Sequence, residues 1–146
     1  MNILGILNAF SQGSSGGDKV FLQVLADNKN EHITILTSHL GKLLCEQSDI
    51  SADYIVSSHE KTFSSPITTY LKRIYVSLFL IRYPKEIDQI ITASDSLPDT
   101  IPAFLLTGRG GITWTTHTYH IVPWGRLISR LTQELSIFLM GIRAST

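Results

Sequence analysis

The sequence predicts an α/β protein with a parallel sheet between two layers of helices, on three observations. Short apolar runs alternate with longer stretches of helical period along the whole chain. The first run, "NILGIL" at 2–7, is apolar almost without interruption, as in a strand covered on both faces. A polar, glycine-rich stretch, "SQGSSGGD" at 11–18, then leads into an amphipathic segment, the order of a strand–loop–helix unit.

The elements follow in that alternation. Asn2–Leu7 is a strand. Gly17–Asn28 is a helix with Val20, Leu22, Val24 and Leu25 as its apolar positions. His32–Ser38 is a strand, Leu40–Gln47 a short helix and Asp53–Ser58 a strand. Pro66–Arg82 is a long helix and Asp88–Ser94 a strand. Pro98–Leu106 is a short helix whose prolines, Pro98 and Pro102, fall near its first turn. Gly111–Thr118 is a strand and Trp124–Ile142 a closing helix. Strand–helix alternation of this kind implies right-handed crossovers and a Rossmann-like, three-layer arrangement of one domain over residues 1–146.

In such folds ligands bind outside the carboxyl ends of the strands. The residues just past those ends are Asn8, the Gly13–Asp18 loop, Ser38, Ser57, Ser94, Asp95, His117 and His120. They form a polar list, suited to the rim of a cleft.

Composition excludes other classes. The 146 residues are 43% hydrophobic and 16% charged, a globular balance rather than a disordered one. The formal net charge is zero, so no basic footprint for nucleic acid is present. Cys45 is the single cysteine and sits in an apolar run, which fits a structural thiol and a reducing compartment. The first ten residues lack the positive region and cleavage site of a signal peptide, and "YVSLFLI" at 75–81 is far too short to span a bilayer. The expected location is cytoplasmic.

The glycine loop offers two chemistries. Ser15 can cap the following helix while Asp18, three residues on, reaches back to it, an S-x-x-D capping box. Gly16 and Gly17 then leave the first amides of the helix unobstructed, a place for a phosphate. The bland alternative is a flexible, well-capped surface loop. Neither the P-loop pattern nor G-x-G-x-x-G is present. Gly13–Gly17 does match the G-x-S-x-G nucleophile elbow, with Asp95 or Asp99 and then His117 or His120 following in hydrolase order. An elbow serine stands on a sharp turn directly off its strand, whereas several polar residues separate Leu7 from Ser15. A serine hydrolase using Ser15 is therefore the third reading only.

Two stretches resemble a known family. The apolar first strand followed by "SSGGDKVFLQVL" is similar to the opening of family 4 glycosyltransferases of the GT-B fold. "IITASDSLPDTIPAFLL" at 90–106, followed by "ITWTTHTYHIVP" at 112–123, resembles the later part of the same N-terminal domain. The resemblance implies retaining transfer of a sugar from a nucleotide-sugar donor to a sugar or lipid-linked acceptor. It implies two Rossmann-like domains facing across a cleft, the N-terminal one mainly on the acceptor side. Residue by residue, it implies that Gly16 and Gly17 approach the donor phosphates; Asn8, Ser15 and Asp18, from the strand-end residues above, are expected to bind substrate beside them. Asp95 and His117 would be catalytic, and His120 would bind substrate as the second histidine of a pair. Here that pair is split as "HTYH" rather than adjacent. No metal or other cofactor is implied, because helix dipoles and basic side chains neutralise the leaving diphosphate.

The departure is length. The chain lacks the donor-binding domain and its E-x7-E motif, so it reads as a single incomplete GT-B N-terminal domain, truncated or paired with a second chain that carries the other half. It is expected to turn over little substrate alone. The alternative from a different class is a non-catalytic Rossmann-like interaction subunit or a gene remnant.

Two segments, "LKRIYVSLFLIR" at 71–82 and Trp124–Arg143, carry basic residues around apolar ones. Such helices can lie against the inner face of a membrane. The favoured reading is that their apolar faces are the core-facing sides of crossover helices. For the last helix, a face left for a missing strand or a partner chain is a further reading.

Overall fold

In the computed structural model, residues 1–10, 13, 15–61 and 65–116 are described. Among these residues, five strands, β1 (Asn2–Leu7), β2 (His32–Thr37), β3 (Asp53–Val56), β4 (Gln89–Thr92) and β5 (Thr113–Thr116), alternate with four helices. These are α1 (Gly16–Asp27), α2 (His39–Gln47), α3 (Pro66–Phe79) and α4 (Leu97–Thr107). The strands pair in parallel in the order β3-β2-β1-β4-β5, a Rossmann-like α/β sheet. The expected closing helix, together with His117 and His120, lies outside the described residues.

The central strand carries the pattern that placed it. Ile3 to Leu7 are all buried, because β1 has a neighbour on each edge and helices on both faces. Ile3 and Leu7 join Phe21, Leu22 and Leu25 of α1, Ile33 and Ile35 of β2, and Cys45 of α2 on one face. Leu4 and Ile6 join Leu36, Ile90 and the α4 residues Ala103 and Leu106 on the other. Burying such aliphatic side chains stabilises by roughly 1.5–3 kcal/mol each before entropy is counted. Burial also pushes the Cys45 thiol up to about 12, as befits an inert core thiol.

One glycine is required by close approach. A Cβ on Gly41 in α2 would run into Thr37 Oγ1 and lie 3.3 Å from the Leu7 carbonyl oxygen. Thr37 Oγ1 itself donates to that carbonyl at 2.9 Å. Gly41→Ala must displace a buried hydroxyl and its hydrogen bond, at a cost of about 2 kcal/mol. Urea denaturation checks this as a lower midpoint with an unchanged slope.

α3 ends at Phe79, three residues earlier than the sequence pattern predicts, with Leu80 as its cap. Pro84 lies four residues on and holds Tyr83 out of helical geometry, so the chain leaves the helix in time to reach β4. The faces of α3 also differ from expectation. Its buried residues are Arg73 and Ser77, whereas Leu71, Tyr75 and Phe79 are more than half exposed. The apolar stripe was expected to face the core. It faces outward because the polar end of β1, not the apolar sheet, is what α3 covers.

Candidate functional site

β1 is the topological switch point: β2 flanks it on one side and β4 on the other. The loops leaving the C-terminal ends of β1 and β4 diverge there, which opens a crevice in folds of this kind. A cleft of about 240 Å³ occupies that position. One wall is the β1–α1 loop, with Ala9, Phe10, Gly13, Ser15 and Asp18; the other is the β4–α4 turn, with Ser94, Ser96 and Asp99. A hollow of about 20 Å³ at the opposite end of the sheet, beside Asn2 and His32, has room for little more than a water molecule.

The capping box at the start of α1 forms as the sequence predicts. Ser15 N donates to Asp18 Oδ2 at 2.7 Å, and Asp18 N donates to Ser15 Oγ at 3.3 Å. The Ser15 hydroxyl donates to Asp18 Oδ2 at 2.9 Å. Ser15 is thereby engaged as a cap on both of its polar roles. Gly13 has a φ of +71°, a left-handed turn that other residues resist. Gly16 is exposed with open space around it, and Gly17 is buried. Ser15→Ala removes the cap at a cost of about 1 kcal/mol, read as a lower thermal midpoint with little change in the folded spectrum.

Behind the cleft, the first residues after β1 are held through five backbone polar groups: Asn8 N, Asn8 O, Ala9 N, Ala9 O and Phe10 O. Asp99, on the first turn of α4, accepts from Asn8 N at 2.6 Å and Ala9 N at 2.8 Å through Oδ1. Its Oδ2 accepts from Ser94 Oγ at 2.6 Å. Arg73 of α3 donates from Nη1 to the carbonyls of Asn8 at 3.0 Å and Phe10 at 2.6 Å. Tyr70 Oη donates to the Ala9 carbonyl at 2.9 Å. Arg73 is fully buried and is neutralised by Glu60, which accepts from its Nε and Nη2; Ser58 Oγ accepts from Nε as well.

The two carboxylates are shifted in opposite directions. Burial pushes Asp99 up to about 7, against the lowering influence of hydrogen bonds from Ser94, Ala9 and Asn8. Burial also pushes Glu60 up, but hydrogen bonds from Ser58 and Arg73 and the guanidinium charge outweigh it and hold Glu60 below the usual carboxylate range. Asp99 borders the cleft but is 0% exposed, and the Ser94 hydroxyl that donates to its Oδ2 belongs to a residue of the same lining.

The structure places Ser15 and Asp18 at one rim of this cleft, and Gly16 and Gly17, between them at the start of α1, stand outside its lining. Asn8 does not join them. It was expected to touch a ligand; it is 0% exposed, with Nδ2 donating to Ser77 Oγ and the Pro98 carbonyl and Oδ1 accepting from Ser57 Oγ. Its side chain closes a buried polar network under the cleft. Asp95 is exposed on the β4–α4 turn and stands outside the cleft lining; Asp99 is the carboxylate at that wall. His117 and His120 fall outside the described residues. Arg73, one of the basic residues of the 71–82 stretch, is completely buried. Among the described residues, no three His, Cys, Asp or Glu side chains group as a metal site.

A parallel α/β sheet in the order 3-2-1-4-5 with a polar cleft at its switch point defines a Rossmann-like domain. No family model matches the chain, and no curated protein or solved structure matches it significantly.

Proposed function

We propose that the switch-point cleft is one half of a nucleotide-sugar site, and that this chain serves as the acceptor-side domain of a retaining glycosyltransferase working with a donor-binding domain. The observation that carries the reading is the juxtaposition at the rim: Ser15 and Asp18, which bracket Gly16 and Gly17 at the start of α1, line a cleft whose far wall presents Ser94 and Ser96. The resemblance of the 1–25 and 90–123 segments to family 4 glycosyltransferases supplies the substrate class. In this reading Gly16 and Gly17 turn their amides to the donor diphosphate, and Asp95, His117 and His120 serve the acceptor. The Asp18 carboxylate is committed to Ser15, which leaves the glycine amides as the part of α1 that meets an anion.

Titration calorimetry with UDP-glucose and GDP-mannose, with inorganic pyrophosphate as competitor, tests the reading. Weak millimolar binding of a nucleotide sugar that pyrophosphate competes away is the expected result, since one wall of a two-domain cleft supplies only part of the contacts. Absence of heat with every probe at ten millimolar contradicts it.

A second reading rests on a separate observation. Leu71, Tyr75, Phe79 and Leu80 at α3, with Leu97, Phe104 and Leu105 on the neighbouring α4, are all more than half exposed. Apolar surface of this kind on adjacent helices suits a protein or membrane partner, and a non-catalytic interaction subunit would use it. No helix among the described residues is long and apolar enough to cross a membrane. Sedimentation of the wild-type chain against Phe79→Glu separates the cases: a self-association lost in the variant favours the interaction subunit, and a monomer in both removes self-association as its basis.

A further inference from the structure

We propose that the outer face of α3 and α4 docks on an anionic lipid surface, its apolar side chains entering the headgroup layer and its lysines and arginines reaching the lipid phosphates. The inference stands apart from the nucleotide-sugar reading of the cleft and gives the exposed α3–α4 face one occupant.

The two helices turn the same way. Asn8 Nδ2 donates to Ser77 Oγ of α3 and to the Pro98 carbonyl of α4, so the inward sides of both converge on the end of β1. α3 and α4 also pack against each other. Leu71, Tyr75 and Phe79, four residues apart, lie on the side of α3 opposite the buried Arg73 and Ser77. Leu97, Phe104 and Leu105 lie on the side of α4 opposite the buried Asp99, Pro102 and Leu106. All six of these apolar side chains are more than half exposed. The Tyr75 and Phe79 rings stand 5.2 Å apart, which makes a ridge of them rather than scattered surface residues.

Charge selects the occupant. Residues 61–85 hold no Asp or Glu, and Lys61, Lys72, Arg82 and Lys85 are exposed. The charged residue within α4 is Asp99, which is 0% exposed, and Arg109 is exposed just past the helix end. Among the described residues none of these five cations pairs with a carboxylate. Glu86 and Asp95 are exposed just outside these segments, which leaves the cations in excess. On the opposite face of the sheet, residues 15–53 supply α1 and α2 and hold six carboxylates against three lysines. A chain with no net charge is thus polarised, cationic on the apolar face and acidic behind it, which orients it toward a negative surface. A second copy would set cations against cations. Residues 117–146 carry Arg126, Arg130 and Arg143 against Glu134, the same sign again. An acidic protein answers the charge but needs an apolar patch shaped to the protruding rings. Lipid headgroups and acyl chains mould to them, and lysine and arginine stems lie along apolar surface while their charged ends stay at the phosphates.

Co-sedimentation of the full chain with phosphatidylcholine vesicles, plain or containing about 30 mol % phosphatidylglycerol, tests the docking. In about 0.1 M salt the anionic vesicles are expected to bind at least about tenfold more tightly than the plain ones, and about 0.5 M salt should remove most of that difference. Tyr75→Ser with Phe79→Ser, and separately Lys72→Gln with Arg82→Gln, should each weaken binding to the anionic vesicles by at least about tenfold. Lys19→Gln with Lys29→Gln makes the same change of charge on the α1 side and should weaken it by less than about threefold. All six positions are solvent-facing, and either α3 pair carries the test should the other not fold. Equal binding to both kinds of vesicle, binding to neither, or an equal loss in the α1-side control would each overturn the proposal. Binding to neither is also the result expected if residues 117–146 cover the face. Self-association that Tyr75→Ser with Phe79→Ser abolishes, without vesicle binding, overturns it in favour of a second copy. Failure of the nucleotide-sugar titration would leave this result standing, and the converse also holds.

Discussion

Arg73→Ala is expected to be the most damaging single substitution among the described residues. The guanidinium is fully buried and serves Ser58, Glu60 and the carbonyls of Asn8 and Phe10 at once. Truncation strands a largely buried carboxylate, the buried carbonyl of Asn8 and the part-buried carbonyl of Phe10. Removing one partner of a buried ion pair costs about 3–5 kcal/mol, because the other charge is left without compensation. For a domain of this size that lowers Tm by roughly 10 °C. Arg73→Lys should lose about half as much: one ammonium cannot reach both the Glu60–Ser58 side and the two loop carbonyls. Glu60→Gln should lose less again, since Glu60 is one-fifth exposed and water can replace it in part. Thermal unfolding of the three variants checks that order.

Asp99→Asn is expected to change the pH dependence of stability, with a definite sign. Below pH 3.8 the carboxyl is protonated in folded and unfolded chains alike. Between 3.8 and about 7 the unfolded chain is ionised while the folded one holds its proton, so each step up in pH favours unfolding. Above 7 both are ionised and the penalty is complete, roughly 4 kcal/mol at about 1.4 kcal/mol per pH unit. Asparagine keeps an acceptor for the two loop amides and never ionises. Asp99→Asn should therefore sit near the wild type at about pH 4 and gain on it steadily until neutral pH. Glu60 works in the opposite sense: its contribution is present above its unfolded value and is lost as pH falls through its lowered folded value. It is common to both proteins and cancels in the difference. Asp99→Ala, by contrast, orphans two backbone donors and should lose about 2–4 kcal/mol at every pH. Urea unfolding of wild type and both variants across pH 4–8 reads all of this directly.

What could be read from the sequence was what local chemistry decides. β1 has the predicted limits because continuous apolar character has one common solution, a strand buried on both faces. The Ser15–Asp18 capping box follows from two residues three apart. What escaped was decided by contacts between distant elements. Leu71, Tyr75 and Phe79 recur every four residues and make the more apolar stripe of α3, yet the stripe through Arg73 and Ser77 is the buried one. Its partner is the polar end of β1, which periodicity along α3 cannot reveal. Asp95 drew attention because it follows a strand directly, and Asp99 stands within a helix. The signal available for Asp99 was its place on the first turn of that helix, just after Pro98, where an acidic side chain can turn back toward the preceding strand ends.

The cleft between the β1–α1 loop and the β4–α4 turn is the proposed meeting place of this chain and an anionic ligand. Amide shift mapping by NMR with inorganic pyrophosphate, followed by UDP-glucose and GDP-mannose, addresses that claim at the residues concerned. The predicted result is saturable shifts concentrated on Ala9, Gly16, Gly17, Ser94 and Ser96. Shifts centred elsewhere, or none at these five positions while other amides move, would contradict it.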